Sequence, residues 1–310
     1  MKILIVSFYY SPELGAAPSR ITNMAEGLKS QGAEVDVLTC LPNYPQGQIF
    51  EGYRGRLSKK EKINGIIVYR YWTYATVSKN PFKRAVSMMS FATMLWLFAF
   101  KIKKIQGYDR VIIQSPPLPV AGSAITLFKK IFGRKTLVNI SDLWPLSAVE
   151  LGAMREGGKI YDIFAWIERY IYRNADGIFG QSEEIIRHVN QFPSTKNKFV
   201  YRNLQQYAVA AQPKRKHKPF RIVYAGLLGV AQDIYSIIEN IPFQSIGAEF
   251  HLYGGGNQTE KIKEYINKHP GCFVYYHGYV KKELIAVELS RYDASIVPLT
   301  VALKGAVTSY

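Results

Sequence analysis

A short apolar run and a loop of small residues begin the chain: Ile3-Leu-Ile-Val-Ser7, then Phe8-Tyr-Tyr-Ser-Pro-Glu-Leu-Gly-Ala-Ala-Pro-Ser-Arg20. The run predicts a buried strand, and a helix is expected to begin at Pro18 or Ser19. A strand, a tight loop and a helix in this order are typical of a parallel α/β sheet. Free backbone N–H groups around Gly15, together with Arg20, would suit a phosphate group, although an ordinary tight loop explains the segment equally well.

The same alternation of apolar strands and helical segments continues through the chain and defines its organisation. It fills residues 1–205 and restarts at residue 221, after the basic stretch Gln212-Pro-Lys-Arg-Lys-His-Lys-Pro219. We therefore predict an α/β domain at 1–205, a linker at 206–220 and a second α/β domain at 221–310. The second domain is expected to be incomplete, because only four strands are visible where a doubly wound domain usually has five or six.

Composition restricts the class of protein and the kind of partner. The chain has 310 residues, 48% of them hydrophobic, which excludes wholesale disorder. Cys40 and Cys272 are too few for a disulfide framework and favour a reducing compartment such as the cytoplasm. The formal net charge is +17, and residues 1–205 hold 28 basic against 15 acidic side chains. An anionic partner is expected: phospholipid headgroups, a pyrophosphate or nucleic acid. No basic-aromatic or helix-turn-helix motif supports nucleic acid.

One long apolar helix is predicted between Lys83 and Lys104. Its apolar centre, Ala85 to Phe100, spans about 24 Å as a helix, short of the roughly 30 Å hydrocarbon core. The helix is either buried in the protein or lies on a membrane surface with its flanking cations on headgroups. A basic loop over Tyr53–Lys62 adds weight to the membrane interpretation. The predicted membrane residues are Lys83, Arg84, Trp96, Lys101, Lys103 and Lys104.

Carboxylate and glycine positions at predicted strand ends are candidates for chemistry. Asp142, in Ser141-Asp-Leu-Trp-Pro145, is either a general base or the cap of the helix that follows. Gly226 and Gly254 follow consecutive strands of the second domain and together suggest a nucleotide crevice. Lys304 either approaches a diphosphate or is a lone surface lysine. The sequence has no paired metal-binding carboxylates, zinc-hydrolase motif, serine-hydrolase motif or P-loop.

These segments resemble a known family. Phe8 to Arg20, Pro42-Asn-Tyr-Pro-Gln-Gly47 and Asp142-Leu-Trp-Pro145 are similar to bacterial family 4 glycosyltransferases of surface-polysaccharide assembly, especially a branch of N-acetylfucosamine transferases. The resemblance implies a GT-B fold of two Rossmann-like domains and a metal-independent, retaining enzyme without a cofactor. It implies a nucleotide-sugar donor, expected to be UDP-linked, held mainly by the second domain and an acceptor held by the first.

The resemblance also assigns residues, each with a stated kind of site. Asp142 would take the catalytic position. The implied donor-binding residues are Gly15, Arg20, Gly226, Gln232, Gly254, Val280 and Lys304. The implied acceptor-binding residues are Asn43 and Tyr44. The family's glutamate motif would begin near Gly305, and its second glutamate would fall past Tyr310, so weak or absent activity is expected of this chain.

Two functional hypotheses follow from this assignment. The first is transfer of a sugar to an undecaprenyl-diphosphate-linked saccharide in O-antigen, lipopolysaccharide or capsule assembly, by a protein peripheral to the cytoplasmic face of the bacterial membrane. The second is an inactive remnant that acts only as a membrane-associated binding protein.

Overall fold

The computed structural model describes residues 1–78, 80–101, 107–202, 218–281 and 284–299. The chain divides into two compact units, and the described residues up to Arg202 belong to one and those from Lys218 onward to the other. Most of the predicted linker, residues 206–217, lies outside the described residues, as do Lys103, Lys104 and Lys304.

The first unit is built on one sheet. Its strands are β1 (Lys2–Val6), β2 (Glu34–Cys40), β3 (Ser58–Ile63), β4 (Ile66–Tyr71), β5 (Arg110–Ser115), β6 (Lys135–Ile140), β7 (Gly177–Gly180) and β8 (Lys198–Val200). Their order across the sheet is β3-β4-β2-β1-β5-β6-β7-β8. Only the β3 pairing with β4 is antiparallel among the described pairs. The predicted parallel α/β class is confirmed.

Helices cover both faces of this sheet. They are α1 (Ala16–Ser30), α2 (Pro81–Lys101), α3 (Leu118–Ala124) with a π-helical continuation (Ile125–Ile131), α4 (Leu146–Glu150), α5 (Lys159–Asn174) and α6 (Glu183–Asn190). Alternate residues of β1 belong to different cores, because successive strand side chains point to opposite faces. Ile3 and Ile5 pack in the cluster that contains Met24 of α1, whereas Leu4 and Val6 pack in the cluster that contains Phe91 of α2.

The prediction of a basic loop over Tyr53–Lys62 is wrong for the second half of that segment. Ser58–Ile63 forms strand β3, which pairs with β4 through a two-residue turn. Asn64 and Gly65 have φ angles of 48° and 77°, the left-handed conformation that such a hairpin turn needs. Asn-Gly between two strand-like runs is typical of a hairpin turn, but the lysines of β3 led to the prediction of a loop instead.

The second unit has a smaller sheet with one packed core. Its strands are β9 (Phe220–Leu227), β10 (Ala248–Gly255), β11 (Val274–Gly278) and β12 (Ala294–Ser295). They run parallel in the order β11-β10-β9-β12 among the residues described. Its helices are α7 (Ile234–Asn240), α8 (Thr259–Lys268) and α9 (Ile285–Leu289). Phe250 and Leu252 of β10 pack against Ile238 of α7 and Ile262 of α8.

Candidate functional site

The loops after β1, β2 and β6 meet at the carboxyl edge of the first sheet, where parallel α/β folds bind ligands. Glu13 ties the first two together. Its side chain is 4% exposed and accepts backbone N–H bonds from Tyr10 at 3.1 Å, Asn43 at 2.8 Å and Tyr44 at 2.9 Å. Sequence reasoning missed Glu13, because its partners lie about thirty residues away and only the folded sheet brings the loops together.

Glu13 makes the stability of the first unit depend on pH. Burial raises the pKa of its carboxyl to about 6, although three backbone bonds and the Arg70 charge oppose the rise. The folded state therefore holds an extra proton between pH 4.5 and 6, so stability falls as pH rises through that window, by about 2 kcal/mol.

We expect Glu13→Gln to cost about 1–3 kcal/mol, because an amide nitrogen cannot accept an N–H bond, whereas each carboxyl oxygen keeps a lone pair for one even when the group is protonated. Its deficit relative to the wild type should be largest near pH 4.5 and should shrink towards pH 7, since only the wild type loses stability over that range. All four tryptophans lie before residue 203, so fluorescence-detected urea unfolding reports on the first unit. A deficit independent of pH would contradict the role given to Glu13.

Gly15 shapes the start of α1. Its φ is +140°, and a Cβ there would lie 2.9 Å from Cε1 of Tyr44, so a side chain would collide with that ring. The helix begins at Ala16, two or three residues before the predicted start at Pro18 or Ser19, and its cap makes no side-chain hydrogen bond. No acidic residue occupies the first turn. The positive end of the helix dipole is thus left for an anion at the sheet edge.

Asn43 and Tyr44, the predicted acceptor-binding residues, lie beside this helix start. Asn43 is buried, and its Nδ2 donates to the Leu41 carbonyl at 3.0 Å. The Tyr44 ring packs against the Tyr9 ring with centroids 5.4 Å apart. Tyr44 is partly exposed, whereas Asn43 is buried.

Arg20 and Asp142 interact across the same edge. Burial raises the pKa of Asp142, while the Arg20 charge and a 3.1 Å hydrogen bond from Ser141 Oγ oppose that rise. Burial lowers the pKa of Arg20, and the Asp142 charge opposes that shift. The helix-cap alternative for Asp142 is wrong, since the N-cap of α4 is Pro145. The structure therefore presents a partly buried carboxylate within electrostatic range of a guanidinium.

A chain of buried amides and hydroxyls holds Asp142 from behind. Asn139 Nδ2 donates to Gln114 Oε1 at 2.6 Å, and Gln114 Nε2 donates to Ser141 Oγ at 3.0 Å. The Ser141 hydroxyl in turn donates to Asp142. The sequence signal was polar residues at the ends of apolar strands, which the predictions did not use. This network fixes the orientation of the carboxylate.

The glycines predicted to bind the donor in the second unit bring two strand ends close together. A Cβ on Gly254 would lie 2.0 Å from the Gly226 carbonyl oxygen, and Gly254 has a φ of +116°. Leu228 N donates to the Gly255 carbonyl at 3.0 Å, which joins the loops after β9 and β10. Gly254 is thus needed for backbone packing, and a donor contact for either glycine stays a prediction.

Gln232 and Val280 follow β9 and β11 at the same edge of the second sheet. Oε1 of Gln232 is buried and has no hydrogen-bond partner among the described residues, and the same holds for Oε1 of Gln258. Asp233, the residue after Gln232, accepts a bond from Ser236 Oγ at 2.7 Å, and its Oδ1 lies 3.5 Å from Gln258 Nε2. Unpaired buried carbonyl oxygens are costly, so this edge is suited to an N–H or O–H donor of a ligand.

Helix α2 is buried on one side and exposed on the other, and its contact with a membrane stays a prediction. Phe91 and Leu95 are fully buried, whereas Met89 and Leu97 are about half exposed. Lys83 and Arg84 lie exposed near its first turn, Lys101 is its last residue, and the partly buried Trp96 donates Nε1–H to Ser123 Oγ at 2.9 Å.

In the portions of the chain described, no helix has both the length and the apolar character needed to cross a bilayer. Nor do those portions contain three or more His, Cys, Asp or Glu residues grouped to hold a metal ion.

Solved structures share the fold of this chain. Sucrose-phosphate synthase from Thermosynechococcus elongatus has a TM-score of 0.68 and 16% identity, covering 96% of this chain and 75% of that one. WaaG, a glycosyltransferase of lipopolysaccharide biosynthesis, has a TM-score of 0.61, 12% identity and the same coverages. HepE of Anabaena, in complex with UDP-glucose, has a TM-score of 0.61 and 12% identity over 95% of this chain and 73% of that one. The predicted GT-B fold class is confirmed.

Sequence comparison identifies the family. WcaI of Escherichia coli K12, provisionally a colanic acid biosynthesis glycosyl transferase, is 28% identical over 254 residues, which is 77% of this chain. The chain spans 62% of the length of that relative. The model of the glycosyl transferase 4-like domain matches residues 15–201, the unit that carries Gly15, Arg20 and Asp142. The chain belongs to the glycosyl transferase 4-like domain family.

Proposed function

We propose that this protein transfers a sugar from a nucleotide-sugar, a UDP-sugar by our hypothesis, to a lipid-linked saccharide in surface-polysaccharide assembly. The observation that carries the proposal is the Arg20–Asp142 pair beside the uncapped start of α1, in a chain of this family. The biosynthetic role named for WcaI and the UDP-glucose bound to HepE support the kind of pathway and the kind of donor.

The proposed reaction breaks the bond between the sugar C1 and the diphosphate oxygen and forms one from C1 to an acceptor hydroxyl oxygen, with retention. Asp142 orients that hydroxyl and takes its proton, and burial suits it to the task because a raised pKa makes a stronger base. The departing diphosphate is stabilised by the N-terminus of α1 and by Arg20. No metal ion takes part in this proposal.

Gln232 extends the proposal to the donor in the second unit. Its unpartnered Oε1 is suited to an N–H or O–H group of the nucleotide, with Gly226, Gly254 and Val280 at the same strand ends. The test is a thermal-shift screen of UDP-, GDP- and dTDP-sugars. A donor at a hundred times its dissociation constant should stabilise the protein by about 2.7 kcal/mol. The donor found is then used, radiolabelled, for transfer into a bacterial lipid extract. No stabilisation by any of these donors, or transfer that a lipid-free control matches, would contradict the proposed reaction.

We further propose that the first unit docks on an anionic membrane through α2. Its exposed apolar side chains would enter the headgroup layer, while Lys83 and Arg84 pair with anionic headgroups. We expect Lys83→Glu/Arg84→Glu to bind phosphatidylglycerol liposomes at least about tenfold more weakly in flotation, because each cation near the surface contributes about 1 kcal/mol. The control Lys196→Glu/Arg202→Glu changes the net charge equally on other exposed residues of that unit. Equal losses in both variants would contradict a specific role for α2.

A further inference from the structure

An apolar groove of about 530 Å³ runs between α2, α3 and α5 in the first unit. Met89 and Trp96 of α2 form one wall, Trp166 and Tyr170 of α5 form the other, and Gly122 of α3 lies at its floor. A Cβ on Gly122 would lie 3.1 Å from Ile167 Cγ2, so a larger residue there would press on α5. The α2 residues that line it span about 10 Å along the helix.

The polar atoms that line this groove are bonded to one another. Trp96 Nε1 donates to Ser123 Oγ, and that hydroxyl donates to the Ala92 carbonyl, both at 2.9 Å. The hydroxyls of Thr126 and Tyr170 lie 2.9 Å apart, and Thr126 also donates to the Gly122 carbonyl. No charged residue is among the lining residues described. An occupant therefore needs no hydrogen-bonding groups, which favours a hydrocarbon.

Apolar side chains also surround the groove on the protein surface. Trp166 is 63% exposed and stacks on Tyr170 with ring centroids 5.7 Å apart. Phe82 and Leu97 of α2 and Ile163 of α5 are likewise exposed. Single apolar residues scattered over a surface are ordinary, whereas an extended apolar surface of this kind marks a docking site.

Positive charge and the candidate active site lie towards one end of the groove. In a parallel α/β unit the helices begin at the carboxyl edge of the sheet, so the first turn of α2, with Lys83 and Arg84, is on that side. Arg84 is close enough to lower the pKa of Tyr9 in the loop after β1, although burial raises it overall. On α5, Phe164 packs edge-on against Trp144, two residues beyond Asp142, with centroids 5.2 Å apart.

We propose that this groove binds the first isoprene units of the polyprenyl chain of the acceptor, with the attached diphosphate near Lys83 and Arg84. An anionic head on an apolar chain matches cations at one end of an apolar groove. The inference rests on the proposed function, because that function supplies a lipid-linked acceptor. It adds that the enzyme recognises the lipid itself as well as its sugars.

Equilibrium dialysis of the full chain with radiolabelled geranylgeranyl diphosphate tests the inference. Thr93 lines the groove and is exposed, so Thr93→Trp fills the groove without burying a new polar group. We expect this variant to bind the probe at least about tenfold more weakly, since the apolar contact area is lost. Ile131→Trp is the matched control, because Ile131 is exposed on the π-helical segment and is not among the lining residues.

The competitors decide which part of the probe is recognised. Inorganic pyrophosphate should compete weakly, as should lysophosphatidylglycerol, which has a straight acyl chain. Unchanged probe affinity in Thr93→Trp, an equal loss in Ile131→Trp, or equal competition by either compound would overturn the inference. Thermal unfolding verifies that both variants fold. If the wild type binds a nucleotide-sugar but not the probe, only the polyprenyl inference fails; if it binds neither, the proposed function fails too.

Discussion

Asp142→Asn should lower sugar transfer into lipid at least about a hundredfold and leave nucleotide-sugar binding unchanged. A positioned general base contributes about 10²–10⁴-fold to a rate, and an amide cannot take the proton of the acceptor hydroxyl. The amide is close in size to the carboxylate and keeps an oxygen for the Ser141 hydroxyl, so the buried network behind it should remain. The measurement is initial-rate transfer of radiolabelled sugar.

The pH dependence makes this prediction more specific. Burial raises the pKa of Asp142, so wild-type activity should fall as pH drops through a range above that of an ordinary aspartate, because the base becomes protonated. Asp142→Asn should lack this limb of the profile. Asp162→Asn, on the exposed first turn of α5, is the matched control and should keep both rate and profile. Near wild-type turnover by Asp142→Asn would exclude the residue from the mechanism.

Arg70→Met should destabilise the first unit by about 2–4 kcal/mol, because the Ser11 and Cys40 carbonyls and the Glu61 carboxylate each lose an N–H donor. Lys59 still pairs with Glu61 at 3.1 Å, so that carboxylate keeps one cation. Arg70 is 0% exposed; it bonds to Glu61 and to the Ser11 carbonyl, and at 3.3 Å to the Cys40 carbonyl. Burial would raise the pKa of Glu61, but its contacts with Arg70 hold that pKa below the ordinary value. Methionine keeps most of the side-chain length and removes all of these bonds.

Tryptophan fluorescence during urea unfolding measures this loss. The deficit should shrink in acid, where Glu61 becomes protonated and no longer needs a cation. Adding Glu61→Gln to Arg70→Met should recover part of the stability at neutral pH for the same reason. Arg54→Met, at an exposed position, should change stability by no more than about 0.5 kcal/mol. If Arg70→Met also cost no more than about 0.5 kcal/mol, the contact between Arg70 and Glu61 would not be important for stability.

Local sequence patterns predicted the elements whose burial is uniform. Strand β1 is apolar on both faces, so its sequence indicates its place in the middle of a covered sheet. Strand β3 alternates exposed with partly buried positions and carries three lysines, and this charge suggested a loop. The predicted start of α1 lies too far along the chain, because no capping side chain marks the true start at Ala16. The N-cap position is held by Gly15, which has a positive φ.

The candidate site was predictable where one residue acts at the end of its own strand. Asp142 was found in this way, and Arg20 was found from the small-residue loop that leads into its helix. The structure adds that each affects the ionisation of the other. Glu13 could not be found, because its role is to receive N–H groups from a loop that follows a different strand. The groove beside Trp96 and Trp166 also depends on three helices packing together, which no single helical pattern reveals.

Strand β3 has a consequence for the protein in solution. It is the outermost described strand at its end of the first sheet, and an open edge is a template on which another chain could add a strand and aggregate. Lys59, Lys60 and Lys62 follow one another closely along this edge. A second copy approaching there would bring like charges together, so electrostatic repulsion opposes sheet-to-sheet polymerisation and should do so less effectively as salt concentration rises.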